Sequence, residues 1–72
     1  MAVTPAQLQA ELDSTGKGPT ILRSNPYDTT LDSWYVHGGI PYAGRALWIN
    51  TTAGDTAAQQ ATTITTALAA FR

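Results

Sequence analysis

The chain has 72 residues, no cysteine and a formal net charge of −1, with only 12% of its residues charged. That length allows one small domain spanning residues 1–72, and the missing cysteines exclude a disulfide framework or a thiolate metal site. The four cations, Lys17, Arg23, Arg45 and Arg72, are scattered, whereas nucleic-acid binders cluster theirs.

Domains below roughly 70–80 residues seldom gain more than about 3–5 kcal/mol from one core and usually need a staple. With neither disulfide nor evident metal, the remaining staple is association with copies of itself or with another subunit. The charged fraction lies well below the roughly 25% usual for soluble domains, and a surface of Thr and Ala is better tolerated where neighbours cover it. No apolar run approaches the roughly 20 residues of a membrane span, so no membrane partner is expected. The first residues show neither the basic nor the apolar region of a secretory signal, so secretion through a signal peptide is not expected. Asn50-Thr51-Thr52 fits a glycosylation sequon but is read as a strand end.

Thr4-Pro5-Ala6-Gln7 is a helix start, with Thr4 at the N-cap, Pro5 in the first turn and Gln7 closing a capping box. Val3 and Leu8 are placed for a hydrophobic staple, and Leu8 and Leu12 share a face. Ser14-Thr15-Gly16 ends the helix, with Gly16 suited to a left-handed cap. About ten residues make no stable helix alone in water, so the Val3/Leu8/Leu12 stripe must dock. Lys17-Gly18-Pro19 is a turn, Thr20–Ser24 a short strand, and Asn25-Pro26-Tyr27-Asp28 a second turn. Thr29–Asp32 fits no single element.

Ser33–His37 is the first arm of a β-hairpin spanning about residues 33–52. Trp34 and Val36 share one face, and Tyr35 and His37 the other. Gly38-Gly39 interrupts the run, and Ile40–Gly44 is a loop or bulged edge because Pro41 has no N–H to donate. Arg45–Thr51 is the second arm, with Leu47 and Ile49 on one face and Ala46, Trp48 and Asn50 on the other. Both faces carry apolar groups, so this arm is either the more buried strand or one whose second face meets something outside the domain. Asp55 and Thr56 compete for the N-cap of a second helix, and Thr56 with Gln59 forms another capping box. Ala57, Ala61, Ile64, Leu68 and Phe71 form a helical stripe. Thr62, Thr63, Thr65 and Thr66 lower the intrinsic helix propensity, so this helix depends on packing, most simply on its own sheet. The order helix, strand, hairpin, helix specifies an α+β domain. It has a three-stranded antiparallel sheet with one or two helices on one face.

Three constellations bear on chemistry. Gly39–Ala46 approximates the phosphate-loop pattern, but Arg45 replaces its lysine, Ala46 lacks the magnesium-binding hydroxyl, and a strand rather than a helix follows. His37 is a candidate general base, yet Ser33 on the same strand face lies roughly 13 Å away at about 3.3 Å per residue. Beside two glycines, His37 reads instead as a hydrogen-bonding turn residue. Glu11 and Asp13, two apart on a helix, do not face each other. No catalytic, cofactor-binding or metal-binding set results.

The aromatic stretch remains. Trp34, Tyr35, Tyr42, Arg45 and Trp48 are the candidate interface residues, since Tyr, Trp and Arg dominate protein interfaces. Within the domain the tryptophans are read as core and Tyr35 and Tyr42 as its rim. The Thr/Ala/Gly-rich, cysteine-free composition resembles that of small bacteriophage virion proteins such as capsid cement or tail-associated subunits. Small size without a staple, low charge, aromatics concentrated on a thin sheet and no active-site set point to a non-enzymatic structural subunit of a homomeric assembly with no cofactor, and the resemblance makes a virion or the cytoplasm its expected location. The alternatives are a nucleic-acid-binding regulator, reading with the sheet through Arg23, Arg45 and the aromatics, and a minor enzyme or toxin-like factor centred on His37.

Overall fold

The computed structural model describes residues 3–14, 18–25, 31–52 and 54–71. Its elements are α1 (Pro5–Ser14), β1 (Thr20–Asn25), β2 (Leu31–His37), a 3-10 turn (Ile40–Tyr42), β3 (Ala46–Thr52), α2 (Ala57–Leu68) and a terminal 3-10 turn (Ala69–Phe71). This is the expected α-β-β-β-α order. The Gly16 cap and the Pro26–Asp28 part of the second turn lie outside the described residues.

Both helices start where their caps dictate. The Thr4 N–H donates to Gln7 Oε1 and the Gln7 N–H to Thr4 Oγ1. Thr56 and Gln59 repeat the same reciprocal pair at α2. Each box satisfies backbone donors that a helix start otherwise leaves without intrahelical acceptors.

The strands form one antiparallel sheet in the order β1-β2-β3. The hairpin register pairs His37 with Ala46, Tyr35 with Trp48, Ser33 with Asn50 and Leu31 with Thr52. On the other side, Thr20 pairs with His37, Ile21 with Val36 and Arg23 with Tyr35, leaving Leu22 as the extra residue of a bulge. The central strand is therefore β2. The expectation that the second hairpin arm is the more buried strand is corrected: β3 is an edge, buried only at alternate positions. Of its two apolar faces, one joins the core through Ile49, and the other carries the half-exposed Trp48, which no described element covers.

One buried cluster joins Leu8 and Leu12 of α1, Trp34 and Val36 of β2, Ile49 of β3, Tyr42, and Ala61, Ile64 and Leu68 of α2. Val3, half-buried, packs at its margin. Because side chains alternate along a strand, the sheet residues of this cluster share one face, and both helices lie on it. The stripe of α2 thus packs on its own sheet and on α1 together.

Two placements depart from expectation. Tyr42 is buried in the core, because the 3-10 turn folds it back beneath the hairpin. Trp48 is 49% exposed on the opposite side of the sheet from the helices, so only Trp34 is a core tryptophan.

Gln60 lies outside the apolar stripe yet is fully buried. Its Oε1 accepts from Trp34 Nε1 (2.9 Å) and from the Thr51 hydroxyl (2.7 Å), while its Nε2 donates to the Asp55 carbonyl (3.3 Å). Trp34 Nε1 also donates to Thr51 Oγ1 at 3.1 Å. A buried amide is tolerated only when its polar atoms are satisfied. This one ties α2 to both hairpin strands. Among the described residues no buried side-chain polar atom lacks a partner.

Candidate interaction surface

Among the described residues, no element packs on the face of the sheet away from the helices. Register and alternation place a row of Arg23, Tyr35 and Trp48 across its middle, flanked by Thr20, His37 and Ala46 on one side and by Ser33 and Asn50 on the other. Tyr35 and Trp48 stack with ring centroids 5.2 Å apart and planes tilted by 43°. Directly opposed aromatics are among the more favourable cross-strand pairs. The Ser33 hydroxyl donates to Asn50 Oδ1 at 2.7 Å, closing the polar side of the row. Leu22, the extra residue of the bulge, is half-exposed. The result is a small aromatic strip with Arg23 at one end and polar groups at its rim, on a side where no described element packs.

The two sheet edges differ. Along β1, the Gln9 side chain behaves like a short strand: its Oε1 accepts the Ile21 N–H at 2.8 Å and its Nε2 donates to the Pro19 carbonyl at 3.1 Å. Asp13 Oδ1 holds the same Nε2 at 2.9 Å. With the Leu22 bulge, this protects the edge against pairing with another chain. Among the described residues no such device lies along β3. The Gly38 N–H donates to the Arg45 carbonyl. Given the alternation of an antiparallel ladder, Leu47, Ile49 and Thr51 then bond inward to β2. Ala46, Trp48, Asn50 and Thr52 turn their N–H and C=O groups outward. Of these, the Thr52 carbonyl accepts the Asp55 N–H at 3.1 Å. The strand sequence Ala46–Thr52 contains no charge, no proline and no glycine.

The other candidates resolve into structural roles. His37 Nδ1 accepts the Gly39 N–H at 3.1 Å, the turn role expected for it. In the phosphate-loop lookalike, Ala46 begins a strand, and Gly38 and Gly39 serve close packing. A Cβ at Gly39, where φ is +79°, would come within 2.9 Å of the Gly18 carbonyl oxygen. The Arg45 guanidinium sits 5.6 Å from the centre of the Phe71 ring, directed to the chain's own C-terminal turn. A groove of about 640 Å³ between α1 and the start of α2 is lined by Val3, Gln7, Ala10, Glu11 and Gly54–Ala57. It contains the Glu11 and Asp55 carboxyl groups and the Thr56 hydroxyl, which accepts the Gln59 N–H in the capping box. Among the described residues no three His, Cys, Asp or Glu gather as a metal site, and no helix is long and apolar enough to cross a membrane.

Of the five candidate interface residues, the structure brings Tyr35 and Trp48 together on the open face and leaves Arg45 exposed near one end of β3. Trp34 and Tyr42 belong to the core. Sequence reasoning missed Gln9 and Gln60. Both are polar residues on helices, and only the long-range pairing that places them beside a strand reveals their work. No family model, curated protein or solved structure matches the chain.

Proposed function

We propose that the protein is a non-enzymatic structural subunit that joins copies of itself in a larger assembly, such as a bacteriophage virion, in which it serves as capsid cement or a tail-associated component. The observation that carries this reading is the half-exposed Trp48, stacked on Tyr35 at the centre of a sheet face that no described element covers. Large aromatics left at a surface are the anchors of protein interfaces, and this chain has few charges with which to keep such a face in water. The phage-like composition supports the choice of assembly.

The nucleic-acid reading has less support on the same face. Its central row holds one cation, Arg23, and Arg45 is engaged with Phe71, whereas a backbone-binding groove needs several. The test of the assembly reading is sedimentation with light scattering across a concentration series. The expected result is a mass that rises with concentration above that of the 7.6 kDa chain. A chain that remains a folded monomer up to roughly millimolar concentration, the weak end of specific association, would remove its basis.

A further inference from the structure

Resting on that reading, we infer which surface joins the copies. The outer edge of β3 pairs antiparallel with β3 of a second copy, about a twofold axis at Trp48, so that two three-stranded sheets become one of six strands.

Three observations select the edge, the occupant and the register. The first is the asymmetry of the edges. β1 is closed by the Gln9 amide and a bulge, while β3 presents outward-directed backbone groups with no guarding charge, proline or bulge. Unpaired strand edges are templates for another strand. The second is charge. Because Ala46–Thr52 is neutral, an identical antiparallel strand meets no like charge. Arg45 of one copy would lie opposite Thr51 of the second, far from the other Arg45.

The third is register. Outward-directed residues must pair with outward-directed residues to close hydrogen bonds. Twofold axes at Leu47 or Thr51 engage only two outward residues of each strand, which leaves axes centred on Trp48, Ile49 or Asn50 as those that engage more. An axis at Ile49 pairs Ala46 with Thr52, and one at Asn50 pairs Trp48 with Thr52. Both spend the Thr52 carbonyl, which already accepts the Asp55 N–H. An axis at Trp48 uses Ala46, Trp48 and Asn50 alone. It sets Trp48 against Trp48 of the second copy on the open face and Leu47 against Ile49 on the helix-covered face. Apolar groups then meet apolar groups on both faces. The open face gains a continuous row of Tyr35, Trp48, Trp48 and Tyr35 across the junction. A twofold contact of this kind is self-complementary and closed. Higher assembly would then use other surfaces of the dimer.

A five-residue edge buries less than the roughly 800 Å² per partner of a standard interface. The expected dimer is therefore concentration-dependent, in the range of roughly micromolar to millimolar dissociation constants.

The experiment compares sedimentation of the wild type with Asn50→Pro and Tyr35→Lys. Proline at residue 50 removes an outward N–H and leaves the inward ladder to β2 intact, which is where an edge strand tolerates proline. Each variant is checked for fold by far-UV circular dichroism. The expected outcome is that Asn50→Pro weakens dimerisation by about tenfold or more while Tyr35→Lys, with the edge intact, weakens it less. A wild type that associates equally well as Asn50→Pro, but whose association Tyr35→Lys abolishes, would overturn the edge pairing. It would leave the assembly reading standing with a face-to-face contact. A wild type that never associates would remove both. Should Asn50→Pro fail to fold, wild-type Trp emission decides. Trp34 is already buried, so Trp48 alone has water to lose, and a blue shift with concentration supports the edge only when the outward Trp48 and Asn50 N–H groups gain protection from hydrogen exchange with it. A shift without that protection marks a face-to-face contact and overturns the edge. No shift across a measured rise in mass overturns it.

Discussion

Replacing Gln60 by Met is expected to cost far more than an ordinary helix substitution. The side chain is fully buried and its volume is nearly conserved by Met, so the cavity term is small. What is lost is polar. The Thr51 hydroxyl and Trp34 Nε1 donate to Gln60 Oε1 at 2.7 and 2.9 Å, and the Asp55 carbonyl receives the weaker 3.3 Å bond. The indole N–H keeps Thr51 Oγ1 at 3.1 Å, so it is only partly orphaned. A net hydrogen bond is worth about 1 kcal/mol and a buried donor deprived of its acceptor costs about 1–3 kcal/mol. The sum is about 2–4 kcal/mol. Domains of this size have roughly 4–11 kcal/mol in total, so the loss is a large share. It corresponds to a fall in Tm of roughly 10–30 °C. Urea unfolding at monomeric concentration, followed by far-UV circular dichroism, measures it. A double-mutant cycle with Thr51→Val should return a coupling of about 0.5–3 kcal/mol. A Gln60→Met protein within about 0.5 kcal/mol of wild type, the scatter of surface substitutions, with additive behaviour in the cycle, would refute the network's role.

Other outcomes follow from the same contacts. Gln9→Leu removes the amide that closes the β1 edge, and should lower stability by about 1–2 kcal/mol. It should also increase association or precipitation in light scattering, because a second edge becomes available. Gly39→Ala forces a side chain onto a backbone with φ +79° and ψ −171°, against the Gly18 carbonyl. The expected loss is about 2 kcal/mol or more in urea unfolding. His37→Ala removes one exposed turn hydrogen bond. It should change stability by less than about 1 kcal/mol and leave self-association at its wild-type concentration dependence.

The fold was legible where local chemistry and periodicity agree. Both capping boxes, the Leu8/Leu12 pair, the Ala61/Ile64/Leu68 stripe and the alternation of Trp34 and Val36 each point one way, and each holds. The order of strands was not legible. β3 is apolar on both faces, a pattern that fits a central strand as well as an edge with an uncovered side. The same ambiguity hid which tryptophan is core, because alternation says that Trp48 and Leu47 oppose each other without saying which one meets the helices. Tyr42 was misplaced for another reason. The Pro41 signal for a turn is correct, but it does not say toward which side the turn folds. Gln9 and Gln60 were invisible because each has a strand partner as far as 12 and 26 residues away along the chain, respectively, and nothing in local pattern marks a polar helix residue as a strand's partner.

The surface followed a similar division. That Tyr35 and Trp48 share a face follows from strand alternation once the hairpin register is fixed. That this face is open follows only from both helices choosing the other side. The distinction between a guarded and an unguarded edge depends wholly on tertiary placement of α1, since Gln9 reaches β1 only after the helix docks.

The most direct measurement is amide hydrogen exchange along β3 at low and high protein concentration. The Ile49 N–H, bonded inward to β2, should be protected at both. The Trp48 and Asn50 N–H groups face outward and should exchange freely when dilute, then become protected as concentration rises. Protection of Ile49 with Trp48 and Asn50 freely exchanging at every concentration, in a solution whose mass shows association, would contradict pairing through this edge.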